Sequence, residues 1–133
     1  MVLARMQGVP WGMKLIPAAA IAAKRPSDAD FTGSVWMEPL APGVLRVTFA
    51  PGARTAWHTH PQGQTLLIVS GTGLVQKRGE AVVAFGTGDV VVIGADEEHW
   101  HGAAPDSLMS HFALQAGETV WLSKVTDEEY GGK

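Results

Sequence analysis

The chain has 133 residues, 46% hydrophobic and 17% charged, which suits one globular domain whose lean charged surface fits burial in an oligomer. A formal net charge of -3, with no basic cluster beyond Lys24-Arg25 and Lys77-Arg78, argues against a phosphate-backbone footprint and a nucleic-acid partner. The absence of cysteine excludes disulfides, thiolate ligands and cysteine nucleophiles, and leaves the cytoplasm as the default compartment.

Residues 1–30 read as an N-terminal extension or arm with a first strand. The apolar run Leu15-Ile16-Pro17-Ala18-Ala19-Ala20-Ile21-Ala22-Ala23 resembles a leader, but Pro17 interrupts it, it is too short to span a bilayer, and no basic segment precedes it. It is expected to be non-targeting, and no membrane partner is expected. Met13-Lys14-Leu15-Ile16 opens like a strand, which makes Met13 an alternative natural start. The segment before Phe31 is expected to serve as an arm exchanged between subunits of a dimer or tetramer.

From Phe31 the pattern changes to short β-branched or aromatic runs broken by Gly and Pro at intervals of about ten residues, the signature of an all-β sandwich or barrel over residues 31–123. The expected strands are Gly33 to Pro39, Val44 to Ala50, Thr55 to His60, Thr65 to Ser70, Gly73 to Lys77, Ala81 to Phe85, Asp89 to Ile93, His99 to Gly102, Ser107 to Leu114 and Val120 to Leu122. Pro51-Gly52, Pro61-Gln62-Gly63, Gly71-Thr72-Gly73, Arg78-Gly79, Gly86-Thr87-Gly88 and Gly94-Ala95-Asp96 supply the turns between them. Residues 124–133 form a tail in which Thr126 is placed to cap a short helix serving packing.

Four of the five histidines fall into two pairs, His58-Thr59-His60 and His99-Trp100-His101. In a strand, residues i and i+2 share a face, so His58 and His60 converge on one point inside a barrel, and Gln64 is close enough in sequence to join them. This grouping points to a metal site. Trp57 and Trp100 alternate with these histidines and are expected to face the other way, into the other sheet or a subunit interface. Asp96-Glu97-Glu98 reads as a solvated loop outside the site, and Arg54 as one half of a surface salt bridge.

The spacing Gly52-(five residues)-His58-Thr59-His60-(three residues)-Gln64-(six residues)-Gly71 resembles the first conserved motif of the cupin superfamily, and Gly88 through His99 resembles the second. Two departures stand out: Gln64 replaces the usual carboxylate, and Gly94 and Asp96 stand where Pro and Gly are usual. The strings Gly52 to Pro61 with Gly63-Gln64-Thr65-Leu66, and His99-Trp100-His101-Gly102-Ala103-Ala104-Pro105, are similar to the small bacterial cupins with manganese-dependent (R)-selective hydroxynitrile lyase activity. The resemblance, over about Gly43 to Gln115, implies a double-stranded β-helix, or jelly-roll barrel, with a divalent metal held by His58, His60, Gln64 and His99. It implies Mn2+ in particular, with Fe2+, Zn2+ and Ni2+ as alternatives, since imidazole ligands suit those ions at least as well.

A neutral amide at position 64 leaves the full +2 charge on the ion, making the site a stronger Lewis acid and less like the 2-His-1-carboxylate centre of iron oxygenases. If His99 points inward, so does His101, either beside the metal or in place of His99 as ligand. His111, Ala113 and Gln115 would share one face of a strand that lines the pocket in the similar lyases. His111 and His101 are therefore the candidate catalytic residues, with His111 taking a hydroxyl proton or holding departing cyanide. Leu45, Val47 and Gln115 are the candidate substrate wall. A lyase acting on a small-molecule cyanohydrin is the leading expectation. An iron dioxygenase, separable by oxygen dependence, and a non-enzymatic ligand-binding cupin are the alternatives.

Overall fold

The computed structural model describes residues 12–132. The residues before Gly12, which include most of those ahead of Met13, lie outside the described residues. The elements are β1 Phe31–Thr32, β2 Val35–Ala41, β3 Val44–Phe49, β4 Arg54–Thr55, β5 His58–Thr59, β6 Gln64–Lys77, β7 Val83–Gly86, β8 Val90–Ile93, β9 His99–Ala103, β10 Met109–Gln115, β11 Val120–Trp121 and α1 Asp127–Tyr130. All ladders are antiparallel. One sheet runs β2-β3-β10-β6-β8, the other β1-β4-β9-β6-β7, with β5 on β9 and β11 on β5. The result is the expected all-β, nearly closed double-stranded β-helix.

Period-2 alternation explains which side chains meet inside. On β10, His111 and Ala113 point inward, whereas Leu114 faces solvent. Val47, Phe49, Leu66, Ile68, Met109 and Ala113 build the interior between the sheets. Burying each of these side chains other than Ala113 contributes roughly 1.5–3 kcal/mol.

The expected turn at Gly71-Thr72-Gly73 is instead a corner within one strand. β6 runs unbroken from Gln64 to Lys77, pairing with β10 and β8 in its first half and with β9 and β7 in its second. A Cβ at Gly71 would overlap the Leu108 carbonyl, and its φ of 81° is left-handed, so this position requires glycine for close approach. The β10 register shifts beside it, between Ser110 and His111, which is how one strand bends to serve two sheets.

The expected strand Thr55 to His60 is broken at Ala56-Trp57. There the backbone bonds elsewhere: Ala56 N–H donates to Asp30 O (2.8 Å), Trp57 N–H to Ser123 O (2.9 Å), and Trp57 O accepts from Leu122 N–H (2.8 Å).

The strand expected to open at Met13-Lys14-Leu15-Ile16 does not form, because the segment has no sheet to pair with there; it lies largely exposed, with Met13 81% and Leu15 72% accessible, ahead of a 3-10 turn at Ala18–Ala20. It touches the barrel through Lys24, which exchanges both backbone hydrogen bonds with Met37 (2.9 and 2.8 Å). Among the described residues no helix is long and apolar enough to cross a membrane.

The C-terminal turn is the expected capped helix, with a reciprocal Thr126–Glu129 capping box. It covers a second apolar cluster of Trp57, Trp100 and Val125, against which Leu74, Val82 and Tyr130 pack. Both tryptophans thus face away from the histidines, and their cover is the chain's own tail. Arg54 departs from expectation: its guanidinium is buried rather than at the surface, and it bonds Asp127 Oδ1 (2.8 Å) and Val125 O (3.0 Å) while lying 4.6 Å from the Tyr130 ring centre. Sequence gave no sign that the tail would fold back to meet it.

Candidate metal centre

All five histidines are buried inside the barrel. β5 and β9 place His58 opposite His99 in register, and the turn Pro61-Gln62-Gly63 after β5 brings His60 beside them. Ring centres lie 4.8 Å apart for His58 and His60, 4.2 Å for His58 and His99, and 5.5 Å for His60 and His99. One ligand atom from each of these three lies within 4.8 Å of the others. His101 is outside that set; its ring stacks on His99 at 5.6 Å and lies 5.1 Å from His111.

Hydrogen bonds to backbone fix which nitrogen each ring presents. His58 Nδ1–H donates to Ala56 O (2.8 Å) and His99 Nδ1–H to Glu97 O (3.0 Å), each two residues back along the chain. A carbonyl only accepts, so the proton sits on Nδ1 and Nε2 keeps its lone pair for a metal. His60 Nδ1 lies 3.3 Å from Thr119 Oγ1. Glu97 itself is turned outward, where it pairs with Lys77 (2.6 Å) and accepts from Gly94 N–H (2.6 Å). Lys77 holds its carboxyl below the usual range. Glu98 pairs with Arg78. The acidic loop therefore braces His99 through its backbone and contributes no carboxylate, as the sequence led one to expect.

His60 Nε2, His99 Nε2 and Gln64 Oε1 are buried without a hydrogen-bond partner. Leaving such groups unpaired costs about 1–3 kcal/mol each, and with His60 as the Nδ1–H tautomer, its proton toward Thr119 Oγ1, all three present lone pairs that a cation satisfies. The residues present thus fit a divalent metal with three imidazole nitrogens and an amide oxygen. Burial favours the neutral imidazole, the form that ligates: His58 is lowered to about 2 and His60 to about 4, chiefly by desolvation with His99 adding, and His99 is lowered by burial against an opposing pull from Glu97.

The site opens on a cavity of about 40 Å³, large enough for a few water-sized atoms. Leu45, Val47, His101, His111 and Gln115 all line it, alongside His58, His60 and Gln64. Neither ring nitrogen of His111 makes a well-formed hydrogen bond, and burial lowers its pKa to about 4 against a partial opposing effect of its own backbone and that of Phe112. Burial also lowers His101, with His111 adding to the effect. Leu45 and Gln115 line an outer groove of about 670 Å³ as well, so they stand between it and the cavity. Sequence reasoning missed Thr119, which lies in the loop before β11 and reaches His60 only through the β11–β5 pairing. No local pattern marks it.

Residues 45–121 match the cupin domain family. The chain is 48% identical over 120 residues to the (R)-mandelonitrile lyase of Granulicella tundricola, covering 82% of this chain and 91% of that one. A cupin-like protein from Thermotoga maritima superposes with a TM-score of 0.78 at 42% identity, over 80% of this chain and 89% of that one. A predicted oxalate decarboxylase from the same organism shares the fold alone, with a TM-score of 0.68 at 20% identity over 81% of this chain and 99% of the other.

Proposed function

Because the chain belongs to the cupin family, we propose that it is a metal-dependent carbon–carbon lyase that cleaves, and in reverse forms, a cyanohydrin. The observation carrying this reading is that a cavity lined by His58, His60, Gln64, His101, His111 and Gln115 has no carboxylate among its lining residues. A divalent ion bound by His58, His60, Gln64 and His99, with Mn2+ proposed and Fe2+, Zn2+ and Ni2+ as alternatives, would supply Lewis acidity undiminished by ligand charge. The relative named for (R)-mandelonitrile supports a cyanohydrin as substrate class.

The side chains divide the work. Neutral His111, with both ring nitrogens free, accepts the proton of the substrate hydroxyl. The carbon–cyanide bond breaks with its electron pair on cyanide, the C–O bond becomes the aldehyde carbonyl, and the proton passes from His111 to cyanide, so that aldehyde and hydrogen cyanide leave. His101, against His111, supports that ring's orientation. Leu45 and Val47 form the apolar wall for the substrate's carbon substituent, and Gln115 stands at the mouth.

Elemental mass spectrometry on protein purified without a metal-affinity tag, with mandelonitrile cleavage assayed before chelation, after it and on Mn2+ readdition, tests the reading. Near-stoichiometric metal and chelator-sensitive cleavage are expected. Iron with oxygen uptake and no cleavage would replace the lyase with a dioxygenase, and metal-free protein would leave a binding module. We also infer a homo-oligomer: Val90 (57% exposed), Val92 (76%) and Leu114 (37%) form an apolar outer sheet face, and Met13 and Leu15 of the arm are exposed as well. Light scattering that returns a monomer mass removes that inference.

A further inference from the structure

A side-chain amide has two ends of nearly equal size and opposite chemistry, and only the oxygen can ligate. What decides which end of Gln64 faces the histidines is the partner of the other end. Gln64 Nε2–H donates to Gln115 Oε1 at 2.5 Å, leaving Gln64 Oε1 buried and unpartnered. Gln115 Nε2–H in turn donates to Thr119 Oγ1 at 3.4 Å, and that hydroxyl lies 3.3 Å from His60 Nδ1. The four residues come from β6, β10, the loop before β11 and the turn after β5, so the relay ties together segments distant in sequence. Turning the Gln64 amide alone would set its oxygen against Gln115 Oε1, two acceptors with no proton between them. The two amides therefore turn only as a pair; Thr119 Oγ1, a hydroxyl that both donates and accepts, keeps the far end bonded, and a cation among the histidines selects the sense that aims Gln64 Oε1 inward.

We propose that Gln115 is a positioning residue for the metal centre: through the Gln64–Gln115–Thr119–His60 relay it fixes the Gln64 carbonyl oxygen toward the ion, while its carbon stem walls the substrate cavity. This rests on the reading of Gln64 as a metal ligand. One side chain thus links the pocket wall to the ligand set, and a substitution there aimed at substrate shape also changes how tightly the ion is held.

The test is Mn2+ affinity in the absence of substrate, measured from the electron paramagnetic resonance signal of free aqueous Mn2+, for the wild type, Gln64→Ala, Gln115→Met, Gln115→Glu and the double variant Gln64→Ala/Gln115→Met. Methionine matches glutamine in length but accepts no such bond, and about tenfold weaker binding is expected. Glutamate keeps an acceptor for the Gln64 amide and is expected to bind at least as tightly as wild type. On the Gln64→Ala background, Gln115→Met should cost nothing further, because its effect passes through Gln64. Wild-type affinity in Gln115→Met, or losses that add in the double variant, overturns the proposal while leaving Gln64 a ligand. Unchanged affinity in Gln64→Ala overturns both.

Discussion

Two layers of side chains hang from the same short strands and follow opposite rules. On the inner side of β5 and β9 stand His58, His99 and His101; on the outer side stand Trp100 of β9 and Trp57, the residue just before β5. The outer layer is closed: Trp57 Nε1–H donates to Glu129 Oε2 (3.3 Å), Trp100 Nε1–H to Gln76 Oε1 (2.8 Å), and Tyr130 O–H to Ala103 O (2.6 Å). The inner layer is left open. Among the described residues, the buried side-chain atoms without a partner are, Arg54 Nε aside, all on His60, Gln64, His99, His101 and His111. A protein satisfies buried polar groups wherever stability is the only demand, so the contrast separates the structural face of a strand from its chemical face.

Breaking the outer layer should unfold the protein without touching the ion. Trp100→Ala removes a fully buried indole and its bond to Gln76, and is expected to lower stability by about 3–5 kcal/mol, read by denaturant unfolding. The folded fraction should still bind one metal per chain. Metal binding lost beyond the loss of folded protein would show that the two faces are coupled.

Acid should do the reverse and attack the inner layer. His58, His60 and His111 have folded-state pKa values pushed down to about 2, about 4 and about 4, with His99 and His101 lowered too, whereas unfolded histidine titrates near about 6.5. Below that value the unfolded chain binds protons that the folded chain refuses. Stability is thus fully present above about pH 6.5 and falls as the pH drops toward 4, by roughly 1 kcal/mol per pH unit for each fully buried ring. Metal-free protein should unfold in this window, followed by circular dichroism, and saturating Mn2+ should move the midpoint to lower pH. A midpoint indifferent to metal would sink the link between these rings and the ion.

The smallest effect sharpens the same contrast. Tyr130→Phe deletes only the hydrogen bond to Ala103 O, so a loss of about 1 kcal/mol is expected, with metal affinity unchanged.

The barrel was legible because strand alternation and turn glycines are local signals; alternation also brought His58 and His60 together, whereas the fuller set with Gln64 and His99 was implied by the resemblance to cupins. Non-local packing was not legible. Gly71 looked like a turn residue because glycine serves both tight turns and close approaches, and only the position of the Leu108 carbonyl distinguishes them. Arg54 looked like a surface residue because nothing near it in sequence predicts that Asp127 and Val125 fold over it. Thr119 carried no signal at all, since its role depends on a hydroxyl meeting a ring fifty-nine positions away.

The unbroken course of β6 through both sheets has a dynamic consequence. Because Gln64 opens the strand in one sheet and Lys77 pairs with His99 at its far end in the other, neither sheet can detach without breaking the same backbone ladder. Sub-global opening that releases only half the barrel is thereby suppressed. Amide hydrogens along β6 should exchange together, at the rate of whole-molecule unfolding, making this strand the slowest clock in the protein.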